Sequence, residues 1–118
     1  AAQEISSSYG AQVEMYHYEP LFKDMRQDKK LLNLFKDVMT EFGEAPRILP
    51  DDEADGSTDV GNVSYEVPTA QPTLQIGLGL EAHTPEFTCA AGSDYGLAQA
   101  IKGAKIMAVV ALRYAMCK

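Results

Sequence analysis

The sequence predicts an α/β fold in which a partial sheet is covered by two main helices. Three short stretches alternate apolar and polar residues, as half-buried strands do, and two longer stretches repeat their apolar residues with the period of a helix. No internal repeat or low-complexity tract interrupts this order. Because helices bury the apolar face of a sheet in proteins of this class, we expect a layered arrangement with few strands.

The first predicted strand covers residues 11–18, where apolar and polar side chains alternate until Pro20 ends the pattern. His17 belongs to this alternation, and no carboxylate or cysteine stands at a ligand spacing from it. We therefore interpret His17 as a structural residue.

A helix is predicted to begin after Asp28, a favourable N-cap residue, and to stop at Gly43. Its apolar residues recur with helical period: Leu31, Leu32, Leu34, Phe35, Val38, Met39 and Phe42. Residues 44–57 follow with prolines and an acidic cluster at 51–55, a composition typical of an exposed connection.

Two further strands are predicted at 63–67 and 74–78, on either side of a turn at 68–72. In both stretches the apolar residues alternate with polar neighbours, and each stretch ends at a breaker, Pro68 or Gly79. These strands supply most of the expected sheet.

Ser93 is a good N-cap for a long final helix. Small residues form a stripe along it, namely Ala100, Ala104, Ala108, Ala111 and Ala115. Such a stripe suits close packing against a sheet, and Gly103 marks a further close contact. Because nothing polar interrupts the stripe, we interpret this helix as core rather than as a cofactor site.

Charge and composition exclude several classes of protein. With 17 acidic and 10 basic side chains the net charge is -7, so we expect no nucleic-acid partner and no anionic membrane partner. The longest apolar run, at 106–112, is far shorter than the ~20 residues that cross a bilayer, and no leader is visible. Cys89 and Cys117 are too few for a disulfide scaffold, so we expect free thiols and a cytoplasmic location.

Two loops at the ends of the predicted strands carry the residues suited to chemistry. In the first, Gly56 lets the backbone approach a ligand closely, and four side chains offer hydroxyl, carboxylate and amide groups: Ser57, Thr58, Asp59 and Asn62. A turn of this composition also occurs for structural reasons alone.

In the second loop, at 82–87, His83 precedes Thr84 and Pro85, so the chain is expected to be extended and to hold the imidazole in a fixed direction, as a metal ligand needs. A lone histidine is also common as a surface or packed residue. A catalytic zinc takes three protein ligands and a water, which this chain does not supply. No serine or cysteine triad emerges either.

Three stretches together resemble a known family. They are GSTDVGNVSYEVP at 56–68, HTPEF at 83–87 and AAGSDYGLAQAIKGAKIMAVVAL at 90–112. In this order they resemble the C-terminal part of the M20 family of metallopeptidases and amidohydrolases. The resemblance is greatest to the branch that contains aminobenzoyl-glutamate utilisation proteins and M20 domain-containing dipeptidases.

The resemblance implies a division of the chain. Residues 1–19 would be the end of the family's lid, or dimerisation, domain, contributing its last strand, and residues 20–118 would be the closing section of a zinc-peptidase-like catalytic domain. His83 would coordinate one of two divalent metals, zinc, manganese or cobalt in the complete enzyme. The loop with Gly56, Ser57, Thr58, Asp59 and Asn62 would line the substrate cleft.

The implied function is that of a C-terminal fragment of a metal-dependent amidohydrolase or dipeptidase, cleaving amide bonds of acylated amino acids or dipeptides and inactive alone. The opening section, with most metal ligands and the general base, is missing, so we expect that section or self-association to cover exposed apolar surface. Two alternatives remain open. One is a standalone non-catalytic binding module with a closed core, and the other is the small subunit of a split hydrolase.

Overall fold

The computed structural model describes residues 1–50 and 56–116, and this part of the chain is helical. Its helices are α1 (Ala2–Ser8), α2 (Lys29–Glu41), α3 (Val60–Val63), α4 (Pro85–Ala91) and α5 (Asp94–Met116). No β-strand occurs in the described residues, so the predicted α/β class with its partial sheet is wrong. The acidic cluster at 51–55 and Cys117 lie outside the described residues.

None of the three predicted strands forms: residues 11–18 and 74–78 have irregular backbone, whereas Val63 ends α3 and residues 64–67 follow it as a turn and a bend. An alternating pattern gives a segment two faces, but a strand is stabilised only by hydrogen bonds to a neighbouring strand. Residues 63–67 make local bonds of their own, because the backbone N–H groups of Glu66 and Val67 donate to the carbonyl of Val63 at 3.0 and 3.1 Å. The segments 11–18 and 74–78 run as coil and bends.

Helix α2 begins and ends where the sequence predicts. The Asp28 side chain accepts a hydrogen bond from the backbone N–H of Leu31 at 2.7 Å, which caps the first turn. Just after the end of α2, Gly43 adopts φ 82°, a left-handed conformation that glycine reaches at low cost. The prediction for this helix is confirmed.

Helix α5 is also capped as predicted. The Ser93 hydroxyl accepts from the backbone N–H of Gly96 at 3.0 Å and donates to the carbonyl of Ala90 at 2.7 Å. The second of these bonds reaches back into α4, a short helix that the sequence pattern did not predict.

The core lies between α2 and α5. Its buried apolar residues are Val38, Met39, Ile106 and Val110. Two ion pairs border it: Lys102 contacts Glu44 at 2.5 Å, and Arg113 donates two hydrogen bonds to Glu41 at 2.6 and 2.8 Å. The buried core of the described chain is thus a small apolar contact between two helices.

The alanine stripe of α5 is exposed rather than packed, which corrects the prediction that it lies against a sheet. Ala100, Ala104, Ala108, Ala111 and Ala115 are all exposed, whereas the buried positions are Gly96, Gln99, Ile106 and Val110. Without a sheet to cover the stripe, α5 packs instead through Ile106 and Val110 on α2, its available partner in the described chain. Gly103 does mark a close contact, since a Cβ there would lie 3.1 Å from Leu74 Cδ1.

By length and composition alone, α5 could cross a membrane. Its mean hydropathy reaches 1.2 over an 18-residue window, of which 22% is buried. The core helix of a soluble protein passes the same test. Lys102, in the middle of α5, pairs with Glu44, and Ile106 packs on α2, so one face of α5 makes contacts within the chain. The expected absence of a membrane partner remains a prediction.

The chain is much more open than a compact protein of its size. Its accessible surface is 9480 Å², against about 6,300 Å² expected for a folded monomer of this mass. Its radius of gyration is 19.9 Å, against about 13.5 Å for a compact domain of this length. Large apolar side chains such as Leu97, Ile101 and Leu112 are exposed. The exposed apolar surface that the fragment interpretation predicts is therefore present.

Candidate functional site

The first candidate loop, residues 56–62, leads into α3. Gly56 has φ 153°, and Ser57 and Asp59 are exposed. Asp59 occupies the N-cap position of α3, yet its side chain accepts no capping hydrogen bond. Thr58 Oγ1 accepts weakly from the backbone N–H of Val60 at 3.3 Å. The hydroxyl of Ser57 and the carboxylate of Asp59 are thus presented at the surface.

Asn62 is held by a different part of the chain. Its Oδ1 accepts from the backbone N–H of Lys23 at 2.7 Å, and its Nδ2 donates to the carbonyl of Leu21 at 3.1 Å. Residues 21–28, which we call the anchor segment, have no regular secondary structure and lead into α2. Both ends of the Asn62 amide are therefore engaged with backbone, and its predicted contact with substrate remains a prediction.

Gly61 makes the closest approach to the anchor segment. It is buried, and a Cβ at this position would lie 2.1 Å from the carbonyl oxygen of Lys23 and 3.3 Å from that of Asp24. No side chain fits in that space, so the close approach requires glycine. The sequence offered no signal for this contact, because the anchor segment has no regular pattern.

Ser64 extends the same contact. Its Oγ accepts from the backbone N–H of Arg26 at 2.9 Å and donates to the carbonyl of Gly61 at 2.5 Å. The hydroxyl thereby links the anchor segment to the backbone of the loop. Sequence reasoning assigned Ser64 to a strand and missed this role.

Tyr65 contacts three side chains of the anchor segment. Its hydroxyl donates to the carboxylate of Asp24, and its ring lies 3.8 Å from the Arg26 guanidinium and 4.5 Å from the Lys23 ammonium. That hydrogen bond raises the pKa of Tyr65 and lowers the pKa of Asp24. The aromatic ring therefore sits between two cations of the anchor segment beside a carboxylate that balances part of their charge.

The last residues of the anchor segment connect it to α2 and to residues 69–71. The backbone N–H of Asp28 donates to the carbonyl of Thr69 at 2.8 Å, while the Asp28 carboxylate caps α2. Gln27 Oε1 accepts from the backbone N–H of Gln71 at 3.5 Å. A continuous path of hydrogen bonds thus connects the 56–62 loop, through the anchor segment, to the first turn of α2.

His83 lies in the second candidate loop, one residue before the cap of α4. It is exposed and has φ 66°, a left-handed conformation that is uncommon outside glycine. Thr84 is extended, accepts from the backbone N–H of Phe87 at 3.2 Å and donates to the carbonyl of Glu81 at 2.8 Å. The expected extended backbone is therefore confirmed for Thr84 and wrong for His83, because the tight turn into α4 reverses the chain there.

The two candidate loops do not form one site within residues 1–50 and 56–116. No hydrogen bond joins His83 to the 56–62 loop, and no three side chains of His, Cys, Asp or Glu come together there in an arrangement that could hold a metal ion. Since a zinc centre takes at least three protein ligands, the described residues do not fit a complete metal site. His83 can contribute one ligand.

Concave surface lies elsewhere on the molecule. One depression of about 330 Å³ is lined by residues 16–22, and another of about 270 Å³ lies between Leu74, Ile76 and the α5 residues Gly103 and Met107. Neither is lined by Ser57, Thr58, Asp59 or His83. The candidate residues are therefore presented on open surface.

Two curated proteins share a stretch of sequence with the chain. These are the Xaa-Arg dipeptidases of Mus musculus and Homo sapiens, each 44% identical over 57 residues, which is 48% of this chain and 13% of the relative. The match supports the M20 family. It does not select a branch of the M20 family. No family model matches the chain, and no solved structure matches it.

The chain spans about an eighth of the length of these relatives, 13% by the matched stretch. The similarity is therefore to one stretch of an M20 dipeptidase. It does not extend to the whole protein.

Proposed function

We propose that this chain is the C-terminal section of a dipeptidase-like amide hydrolase and that it is inactive by itself. The observation that carries the proposal is the 44% identity over 57 residues to proteins named Xaa-Arg dipeptidase. In the assembled protein, residues 1–19 would belong to the lid domain and residues 20–118 to the catalytic domain. The substrate class is a small amide, either a dipeptide or an acylated amino acid.

The open shape of the chain supports a section of a larger assembly over a standalone binding module. A module with a closed core would bury its large apolar side chains, whereas the buried core here consists of four apolar residues in the described part of the chain. Leu97 and Ile101 on α5 are 54% and 59% exposed. Covering such side chains is favourable by about 25 cal/mol per Å² of apolar surface.

The site residues enter the proposal in two groups. Ser57, Thr58 and Asp59 would offer hydrogen-bonding groups to the substrate, and the exposure of Ser57 and Asp59 supports this. His83 would be this chain's ligand to a divalent metal, zinc, manganese or cobalt, with the remaining ligands supplied from outside the described residues. The bound metal would supply Lewis acidity at the amide carbonyl.

A chimera tests the proposal directly. The matching stretch of the mouse Xaa-Arg dipeptidase is replaced by the corresponding 57 residues of this chain, and hydrolysis of dipeptides ending in arginine is measured. If the two stretches have the same role, the chimera folds and retains activity within about tenfold of the parent. A chimera that melts at the parent's temperature but has lost hydrolysis contradicts the proposal. The control replaces the same stretch with a scrambled version, which we expect to abolish both folding and activity.

The metal ligand is tested on the chain itself by calorimetric titration with zinc. Because one imidazole supplies a single ligand, we expect the isolated chain to bind zinc no more tightly than millimolar, and His83→Ala to remove that binding. His17→Ala is the matched control, since it removes the other histidine. Zinc binding that is lost in His17→Ala but kept in His83→Ala would contradict the assignment of His83.

A further inference from the structure

The contact between Asn62 and the anchor segment has the geometry of a substitute strand. The side-chain amide accepts from the N–H of Lys23 at 2.7 Å and donates to the carbonyl of Leu21 at 3.1 Å. A neighbouring strand would satisfy the same kind of backbone pair, an N–H and a carbonyl on one edge of an extended segment. An amide is the side chain that offers a donor and an acceptor side by side, so asparagine suits this position.

The neighbours of Asn62 fix the distance between loop and segment. Gly61 brings the backbone of the loop into contact with the carbonyl of Lys23, leaving no room for a Cβ. Ser64 adds a bond to the N–H of Arg26 at 2.9 Å. Three consecutive points of contact hold the two backbones in one register and leave little freedom to slide.

The other end of the anchor segment is fixed to the core. Asp28 caps α2 with its side chain and bonds to the carbonyl of Thr69 at 2.8 Å with its backbone. Helix α2 in turn buries Val38 completely, with 0% exposure. The loop is therefore attached, through the anchor segment, to the best-packed part of the described chain.

We propose that Asn62 is a positioning residue: it fixes residues 56–60 to the anchor segment and thereby sets where Ser57 and Asp59 stand. The proposed contact of those two side chains with a substrate rests on the dipeptidase-like function, but the positioning itself does not. The Asn62 amide already accepts from the backbone of Lys23 and donates to the backbone of Leu21. Its role is thus exerted through the loop.

Amide hydrogen exchange and ¹⁵N relaxation of the whole chain test this role. In Asn62→Ala the protection of the Lys23 amide should fall about tenfold, the size expected for the loss of one or two hydrogen bonds. The backbone order of residues 56–60 should fall with it, because that stretch loses its attachment. The core amides of Val38 and Val110 should keep their protection. The matched control is Asn33→Ala, which removes an exposed asparagine from α2.

A conservative variant separates positioning from packing. Asn62→Asp keeps the acceptor for Lys23 at neutral pH but has no donor for Leu21 until its carboxyl group is protonated. The order of residues 56–60 should therefore fall at pH 7 and recover near pH 3.5. The charged and titratable groups of the adjoining contact are Lys23, Asp24 and Arg26 of the anchor segment, which surround Tyr65. The hydrogen bond from Tyr65 lowers the pKa of Asp24, and because Asp24 belongs to the anchor segment, the unchanged chain at each pH is the reference.

Three results would overturn the proposal. One is unchanged protection of Lys23 and unchanged order of residues 56–60 in Asn62→Ala. Another is an equal loss of protection at Val38 and Val110, which would mean general destabilisation. The third is an Asn62→Asp variant in which the order of residues 56–60 does not depend on pH. Since no turnover is measured, failure here leaves the dipeptidase-like function standing, whereas an inactive chimera leaves the positioning role standing.

Discussion

Gly61 lies so close to the backbone of the anchor segment that no side chain would fit between them. Since a Cβ would sit 2.1 Å from the Lys23 carbonyl oxygen, Gly61→Ala has to push the 56–62 loop away from the anchor segment. We expect this variant to lower the free energy of unfolding by about 1–3 kcal/mol, as overpacking does. Urea denaturation followed by circular dichroism measures it.

Gly92→Ala is the control for that substitution. A Cβ at Gly92 would lie 3.8 Å from the carbonyl oxygen of Thr88, an ordinary contact, and the backbone there has φ -86°. Its effect should stay within about 0.5 kcal/mol. Equal destabilisation by both variants would show that the close approach at Gly61 is not what matters.

Glu44 gives the fold a dependence on pH. The hydrogen bond from Lys102 holds the pKa of the Glu44 carboxyl below its ordinary value, and a weaker bond from Gln99 acts in the same direction against the effect of burial. Because the folded pKa lies below the unfolded one, the stabilisation is present above the unfolded value of 4.5 and is lost as pH falls through the folded pKa.

We therefore expect the free energy of unfolding to decrease between pH 5 and pH 3, and Glu44→Gln to flatten this decrease. Urea titrations at a series of pH values measure both. Glu41→Gln is the comparison, because the exposed Glu41–Arg113 pair is screened by water and should contribute less. A steeper pH dependence in Glu44→Gln than in the unchanged chain would contradict this account.

Single residues whose role is local could be predicted from the sequence. Asp28 and Ser93 cap helices that start three residues or fewer away, and the order of residue types shows it. The contacts of Asn62, Gly61 and Ser64 with the anchor segment could not be predicted. The hydrogen-bond partners of Asn62 and Ser64, for example, lie 38 to 41 positions away along the chain. No periodic pattern records a contact between two irregular segments.

At the scale of the element, helices were predicted better than strands for a physical reason. A helix satisfies its own backbone hydrogen bonds, so the periods of α2 and α5 suffice to place them. A strand needs a partner, and the described residues pair none with 63–67 or 74–78. The prediction that the alanine stripe of α5 packs against a sheet was wrong because the described residues form no sheet.

The exposed face of α5 has a regular spacing that bears on self-association. Leu97, Ile101, Ala104, Ala108, Ala111 and Ala115 are separated alternately by four and three residues, and all are exposed. Apolar residues with this spacing form the seam between the helices of a coiled coil. In an antiparallel pair of copies, Leu97 would lie opposite Ala115 and Ile101 opposite Ala111, so that large residues meet small ones.

We accordingly expect the isolated chain to form dimers through α5 as its concentration rises. Ile101→Glu should shift the equilibrium to monomers by at least tenfold, because it places a charge in the seam. Analytical ultracentrifugation measures the shift. The control is Lys105→Glu, which changes charge on α5 outside the seam positions. A dimer that withstands Ile101→Glu would show that another surface is responsible.

At the scale of the whole molecule, the described chain is held by one helix pair and one loop contact. Its extents of 64 × 39 × 23 Å are far from those of a sphere. Small-angle scattering of the monomeric Ile101→Glu variant should therefore give a radius of gyration near 19.9 Å. A value near the 13.5 Å or so of a compact domain would contradict the open shape.

The anchor also has a consequence for the order of folding. The bonds from Asn62 to Leu21 and Lys23 span 41 and 39 positions, respectively, and the chain between them contains α2. Closing such a loop costs chain entropy before its hydrogen bonds can form. Helix α2, in contrast, forms from neighbouring residues in about a microsecond. We expect Asn62→Ala to accelerate unfolding while leaving the folding rate nearly unchanged. Residues 56–60 would then be among the last parts of the nascent chain to reach their native place.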